Sequence, residues 1–166
     1  KTLGGSEIDG ANAVLQDAQG NIVVLGNSFS TDGNISYPKG GSDFWIATLN
    51  KSGELLSEKS FGGSSFDLGK GLAFASNGDL WLAGYSRSND GDVSLNQGDN
   101  DMLILRLSPD KIVLNSFSLG GLSVDLAHDI IELSSGKIIV VGETESIDGP
   151  FQGNHGNKDL VVAQYH

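Results

Sequence analysis

The sequence repeats itself at an offset of 58 residues without insertion or deletion, and this periodicity constrains the fold more than any other feature. Ten positions are identical in all three copies, and six of them are glycine. They are Gly4, Gly5, Asp9, Gly20, Gly26, Ser30, Asp32, Gly33, Gly40 and Asp43, each with equivalents 58 and 116 residues later. Because glycine permits positive φ angles and close backbone approach, the repeat preserves bends at fixed positions. We divide the chain into a single repeat domain, 1–166, with units 1–58, 59–116 and a truncated 117–166.

Between the bends lie short segments rich in Val, Ile, Leu and aromatic residues, bounded by Gly, Asn, Asp and Ser, as is typical of strands. In the first unit they cover residues 11–17, 21–26, 43–49 and 54–61. The second and third are apolar on both faces, which predicts that both faces are covered, whereas the fourth alternates as a half-exposed strand does. No segment sustains a helical period, so the sequence predicts an all-β fold.

Four strands per unit, two of them apolar on both faces, favour the blades of a β-propeller, whose sheets stack face to face around an axis. The alternative is a β-trefoil, which also divides into three four-stranded units, although these are usually shorter. Propellers close with about four to eight blades, so three blades leave an apolar face open at each end. We therefore predict a homo-oligomer, a head-to-tail dimer with six blades, or a place within a longer propeller.

The composition excludes several classes of partner. A net charge of −11 repels nucleic acid phosphates and anionic membrane surfaces, and no apolar run is long enough for membrane insertion. The chain has no cysteine, which excludes disulfides, thiolate metal sites and a cysteine nucleophile. Metal ions and neutral glycans remain compatible with this surface.

The long loop of the second unit, SNDGDVSLNQGDND, is the most acidic of the three equivalent loops. Carboxylates are ligands that calcium favours, so we consider Asp90, Asp92, Asp99 and Asp101 as a calcium site. The competing interpretation is structural: an Asp-Gly pair forms a tight turn in which the carboxylate accepts backbone amide hydrogen bonds. The spacing does not match an EF-hand loop, which favours the structural interpretation.

Asp9 and Asp43 recur at the same point of every unit, and we expect them to tie loops to strands through backbone donors. A catalytic carboxylate pair normally occurs once per protein instead of once per repeat. His128, His155 and His166 fall at non-equivalent positions, and no nucleophile signature or phosphate loop is present. The sequence therefore predicts a protein that is not an enzyme.

Ligand recognition is expected in the long loops, at residues that differ between units, because loops on a rigid frame carry binding specificity. The candidates are Tyr37, Lys39, Gln97, Asn154, His155 and Lys158. Trp45 and Trp81 could stack on sugar rings, but both lie in apolar strands, which favours a packing role.

The segments GGSEIDGANAVLQDAQGNIVVLGNSFSTDGNIS and GGSDFWIATLN resemble the Gly- and Asp-rich β-propeller repeats of secreted and cell-surface bacterial proteins, especially those of Bacteroidetes. The resemblance covers essentially the whole chain and implies a secreted or surface location. Departures from it include Leu103 and Val161 at the position of Trp45, and Leu122 where the other units have Ser.

The sequence thus predicts a non-enzymatic binding or assembly module that recognises a glycan or protein partner. One alternative is a polysaccharide hydrolase or lyase with a site on the propeller axis, and another is a structural spacer.

Overall fold

A computed structural model describes residues 1–165, in which eleven strands form three antiparallel sheets. The strands of each sheet are neighbours in chain order. Sheet 1 contains β1 (Asp9–Gln16), β2 (Ile22–Ser28), β3 (Asp43–Leu49) and β4 (Leu55–Phe61). Sheet 2 contains β5 (Asp67–Phe74), β6 (Leu80–Ser86), β7 (Asp101–Leu107) and β8 (Val113–Leu119). Sheet 3 contains β9 (Asp125–Glu132), β10 (Ile138–Thr144) and β11 (Asp159–Tyr165).

The prediction of a repeated all-β fold is confirmed. The helical content of the described residues is one short 3₁₀ turn, Gly149–Phe151. Within residues 1–165 no helix has the length and apolar character to cross a bilayer.

The third strand of each unit has the predicted bounds, whereas the first begins two residues before the predicted Ala11. It does so because Asp9 and Gly10 extend the pairing with β2, opposite Ser28 and Asn27. This extension places the Asp9 carboxylate inside the sheet ladder, beside the loops.

The sheets pack face to face in chain order: β5 lies against sheet 1, and β9 lies against sheet 2. One apolar cluster joins sheets 1 and 2 and includes the fully buried Phe44, Phe61 and Leu103. A second cluster joins sheets 2 and 3 and includes Met102 and Val140. Sheet 2 is therefore covered on both faces, as its apolar pattern predicts, and the stack is open instead of closed into a ring.

The first strands of neighbouring sheets contact each other. Asn12 donates its side-chain amide to the Gly69 carbonyl at 2.8 Å. A β-carbon on Gly71 would lie 2.6 Å from the α-carbon of Asp129, so this contact requires glycine. β1 therefore contacts the backbone of β5 through a side chain, and β5 and β9 come into backbone contact.

Candidate functional site

All sequence-predicted site residues in the described chain lie at one end of the stack, which we call the loop end. Here β1, β5 and β9 begin, and the long loops between the second and third strands meet the Gly-Gly segments that precede each first strand. The geometry of this end decides whether its carboxylates are free for chemistry.

The first aspartate of each unit ties three segments together. The Asp67 carboxylate accepts hydrogen bonds from the Gly63 amide at 2.7 Å, the Ser88 hydroxyl at 2.8 Å and the Ser86 hydroxyl. Asp9 and Asp125 accept the equivalent hydrogen bonds in their own units. The architectural role predicted for these residues is confirmed.

The Asp-Gly aspartates bind the same Gly-Gly segments from the other side. Asp90 accepts the Ser64 amide at 2.7 Å, and Asp32 accepts the Ser6 amide at the same distance. Gly91, which follows Asp90, has a φ of 67°, a conformation that favours glycine. These contacts are the ones that the structural interpretation of the Asp-Gly pair predicts.

The aspartate that opens the third strand is buried between two sheets. Asp43 is 1% exposed, and its Oδ2 accepts the Lys39 amide at 2.6 Å. Its Oδ1 has no hydrogen-bond partner among residues 1–165, and it lies beside Gly62, whose added β-carbon would also contact Asp67. Two carboxylates from different sheets therefore share one buried junction.

Burial raises the pKa of Asp43 to about 6; the Asp67 charge adds to this rise, and the Lys39 amide opposes it. Burial likewise raises the pKa of Asp101, with a contribution from Asp125. Asp159 holds the same repeat position on the exposed sheet 3, and there the hydrogen bond from the His155 amide lowers the pKa. Coverage by the following sheet thus accounts for the difference in pKa between the carboxyl groups at this repeat position.

Replacing Asp43 with asparagine is expected to raise the free energy of unfolding at pH 7.5. The folded chain binds the Asp43 proton more tightly than the unfolded chain, where the pKa has its usual value of 3.8. This group therefore contributes most stability below pH 4 and loses it as the pH rises through 6. Asparagine keeps an acceptor for the Lys39 amide without the charge, so we expect a gain of about 2 kcal/mol.

Urea unfolding of wild type and Asp43→Asn at pH 4.5 and pH 7.5 measures this gain. Asp159→Asn is the matched control, because the same repeat position lies there on the exposed sheet 3. We expect no gain from the control. A gain for Asp43→Asn that is equal at both pH values would contradict the argument.

The four aspartates proposed for calcium are divided among different contacts. Asp90 holds the Gly-Gly segment, Asp92 forms an ion pair with Lys39 at 2.5 Å, and Asp101 accepts the Gln97 amide. The Asp99 amide donates to the Ser123 carbonyl. Within residues 1–165 no three acidic or histidine side chains are grouped to hold a metal ion.

The six proposed ligand-binding residues also divide between structural contacts and solvent. Lys39 reaches across to Asp92 of the next unit, and Lys158 contacts Glu143 at 2.6 Å. The side-chain amide of Asn154 donates to the backbone carbonyls of Thr144 and Ser146, at and just after the end of β10. The backbone amides of Gln97 and His155 each donate a hydrogen bond to the aspartate that opens the following strand. Tyr37 is different, because 87% of it is exposed and its backbone lies in a bend with a φ of 60°.

The tryptophans pack inside the protein. Trp45 and Trp81 are both 7% exposed, and their indole nitrogens donate to Glu58 and Glu132 at 2.9 Å. Sequence reasoning missed these two glutamates, because they lie on different strands and at non-equivalent repeat positions.

His128 lies 3.7 Å from Glu143, and His166 is outside the described residues.

No protein-family model matches this chain, and the comparison with curated proteins finds no match. Its functional interpretation therefore rests on the repeat and on the geometry of the loop end.

Proposed function

We propose that the chain is a β-propeller segment that acts as a non-enzymatic binding and assembly module, secreted or displayed on a bacterial surface. Separate sheets that stack in chain order, with the first strands of neighbouring sheets in contact, support propeller blades over a trefoil. The location follows from the resemblance of the repeats to those of secreted and surface proteins.

The proposal of assembly rests on one observation: residues on the outer faces of the stack are exposed, whereas their repeat equivalents on the inner faces are buried. Phe44 and Met102 pack between sheets and are 0% exposed, whereas Leu160, at the same repeat position in sheet 3, is 80% exposed. At the opposite end, Val14 is 63% exposed, whereas its equivalent Leu72 is 6% exposed. The two open faces therefore carry the two halves of an interface that the molecule already uses twice.

Head-to-tail stacking brings these two faces together. Exposed Leu160 and Val162 of one copy would meet the face around Val14 of another, as Phe44 and Ile46 meet sheet 2. A heterologous contact of this kind generates rings when its rotation closes. Two copies would provide six blades, which lies within the usual range for propellers.

The loop end supports a binding role over catalysis. Asp43 and Asp67 resemble an acid and base pair, but they are 1% and 0% exposed, so no substrate reaches them. The other repeated carboxylates hold backbone amides. Exposed Tyr37 is the aromatic side chain that offers a flat surface to a glycan or a protein partner.

We expect the purified chain to associate with increasing concentration toward a species of twice 17.3 kDa, measured by light scattering. High salt is expected to favour association, because each copy carries a net charge of −11 and the contact is apolar. A folded species that stays monomeric up to hundreds of micromolar would contradict the proposal.

A glycan array probed with the protein tests the recognition part. Binding of a defined glycan class supports it, and no binding would favour a structural spacer. Turnover of a polysaccharide that one carboxylate substitution abolishes would overturn the non-enzymatic part.

A further inference from the structure

A cavity of about 420 Å³ lies between sheets 1 and 2, at the end of the stack opposite the loop end. We call this the hairpin end, because the short turns after β1, β3 and β7 lie here. The residues that line the cavity fall within 17–111, and both sheets that form it have four strands. Its volume is within the range of about 300 to 1,000 Å³ that is usual for ligand sites in proteins.

Sheet 1 supplies three polar side chains to the cavity. Thr48 of β3 lies opposite Ser57 of β4 in the sheet ladder, and Lys59 follows two residues after Ser57 on the same face. Thr48 is 9% exposed, and its hydroxyl oxygen has no hydrogen-bond partner among residues 1–165. Because buried hydroxyl groups are usually paired, an unpaired one in a cavity wall is a group with which a ligand can form a hydrogen bond.

The second lysine of the cavity comes from sheet 2. Lys111, in the turn between β7 and β8, donates from its ammonium group to the Pro109 carbonyl at 2.9 Å. The Lys59 ammonium donates to the Lys111 carbonyl at 2.8 Å, so both lysines lie where the two sheets meet. An ammonium has three donors and each of these bonds uses one, which leaves donors for a ligand. Burial lowers the pKa of Lys111, and the nearby carboxylates of Asp17 and Asp110 oppose this change.

The polar side chains of the cavity are not part of the repeat. At the positions equivalent to Thr48, Ser57 and Lys59, the second unit has Arg106, Asn115 and Phe117. Recurring positions of this chain maintain turns and contacts between sheets, whereas positions that differ between units can carry a function. The combination of two hydroxyls, two ammonium groups and two carboxylates is therefore specific to this one junction.

We propose that this cavity binds a neutral sugar unit of a glycan. Each hydroxyl group of a sugar both donates and accepts hydrogen bonds, so a sugar requires donors and acceptors side by side. Lys59 and Lys111 supply donors, and the carboxylates of Asp17 and Asp110 supply acceptors. An anion would face two carboxylates here and a cation two ammonium groups, whereas an uncharged ligand meets no like charge. Pro109 adds apolar surface for the C–H groups of the sugar ring.

This inference rests on the glycan recognition proposed above and places a site at the opposite end of the stack from Tyr37. Amide chemical shifts of the isotope-labelled chain separate the two ends. Glucose, galactose and N-acetylglucosamine are added in turn to about 50 mM, well above a millimolar dissociation constant. With at least one of these sugars we expect saturable shifts at residues 57–59 and 110–111. Inorganic phosphate at the same concentration is the control for an anion site, and we expect no saturable shift from it.

Two substitutions test the side chains. Lys59→Met removes a charged donor and is expected to weaken sugar binding about tenfold. Thr48→Val replaces the unpaired hydroxyl with a methyl group and should weaken binding about threefold without lowering the free energy of unfolding, because this hydroxyl has no partner among residues 1–165. Lys70→Met is the matched control and should leave binding unchanged. The Lys70 ammonium lies over the Tyr85 ring as that of Lys59 lies over Phe61, but Lys70 is outside the cavity.

Circular dichroism shows whether each variant is folded. Saturable shifts at the cavity that Lys59→Met weakens and Lys70→Met does not would support the site. Shifts confined to residues around Tyr37 would overturn it and leave glycan recognition standing. Saturable shifts with phosphate alone would overturn the sugar assignment in favour of an anion. A folded chain that shows no saturable shift with any of the three sugars would overturn the site, while the glycan array decides on the recognition part separately.

Discussion

Phe44→Ala is expected to lower the free energy of unfolding by about 3 to 5 kcal/mol, which is the usual range for removing a buried phenylalanine. The Phe44 side chain is fully buried between sheets 1 and 2. Its ring lies against Gly69 and Gly84, and a β-carbon on Gly84 would come within 2.6 Å of it. Removing the ring therefore leaves a cavity between the two sheets, beside glycines that have no side chains to fill it. Urea denaturation at a fixed low protein concentration measures the loss.

Leu160→Ala is the matched control, since Leu160 has the same repeat position and is 80% exposed. At a concentration where the chain is monomeric, we expect a change within about 0.5 kcal/mol. At concentrations where copies associate, the same variant should weaken association, because the residue then becomes part of an interface. If both variants lost the same free energy of unfolding in the monomer, packing between sheets 1 and 2 would not be the source of the stability that Phe44 contributes.

Strand content could be predicted from the sequence because the apolar pattern and the glycine positions report it directly. The third strands were predicted to the residue, since each begins at an aspartate and continues with a mostly apolar run. The extra length of β1 and β2 was missed, because the added pairs, such as Asp9 with Ser28, contain polar residues. Their pairing depends on hydrogen bonds to the Asp9 carboxylate, which no hydrophobic pattern reveals.

The roles of the loop-end carboxylates could be predicted only in part. Their recurrence at fixed points of the repeat indicates architecture, and the hydrogen bonds of Asp67 and Asp90 agree with this. The hydroxyl partner at Ser28 was missed because its third equivalent is Thr144, so a search for identical residues does not include it. A search for a shared hydroxyl group would have found it.

Contacts between units were the least predictable part of the site. Asp43 and Asp67 belong to different units, and they meet only because neighbouring sheets stack. Lys39 was predicted as a candidate ligand-binding residue of its loop, and in the structure it pairs with Asp92 of the following unit for the same reason. A periodic sequence gives the spacing of equivalent residues along the chain, and it gives no distance between non-equivalent residues of successive units.

Asp67→Ala is expected to lower the free energy of unfolding at pH 7 by about 4 kcal/mol, which is an unusually large loss for one substitution. Asp67 is 0% exposed and accepts hydrogen bonds from the Gly63 amide and from the hydroxyls of Ser86 and Ser88. Each donor left unpaired in the interior costs about 1 to 3 kcal/mol. Relief of the repulsion on Asp43 offsets part of this cost. Urea unfolding followed by tryptophan fluorescence measures the net loss.

Asp9→Ala is the matched control, because Asp9 accepts the same three kinds of hydrogen bond but lies at the open end of the stack and is only half-buried. Water can reach the donors that its removal leaves, so the expected loss is about 1 kcal/mol. The substitution at Asp67 has a second readout, since removing its charge should lower the pKa of Asp43 and reduce the fall in stability between pH 4 and pH 7. If Asp67→Ala and Asp9→Ala lost equal stability, with no change in that pH dependence, then burial by the neighbouring sheet would not be what makes this carboxylate important.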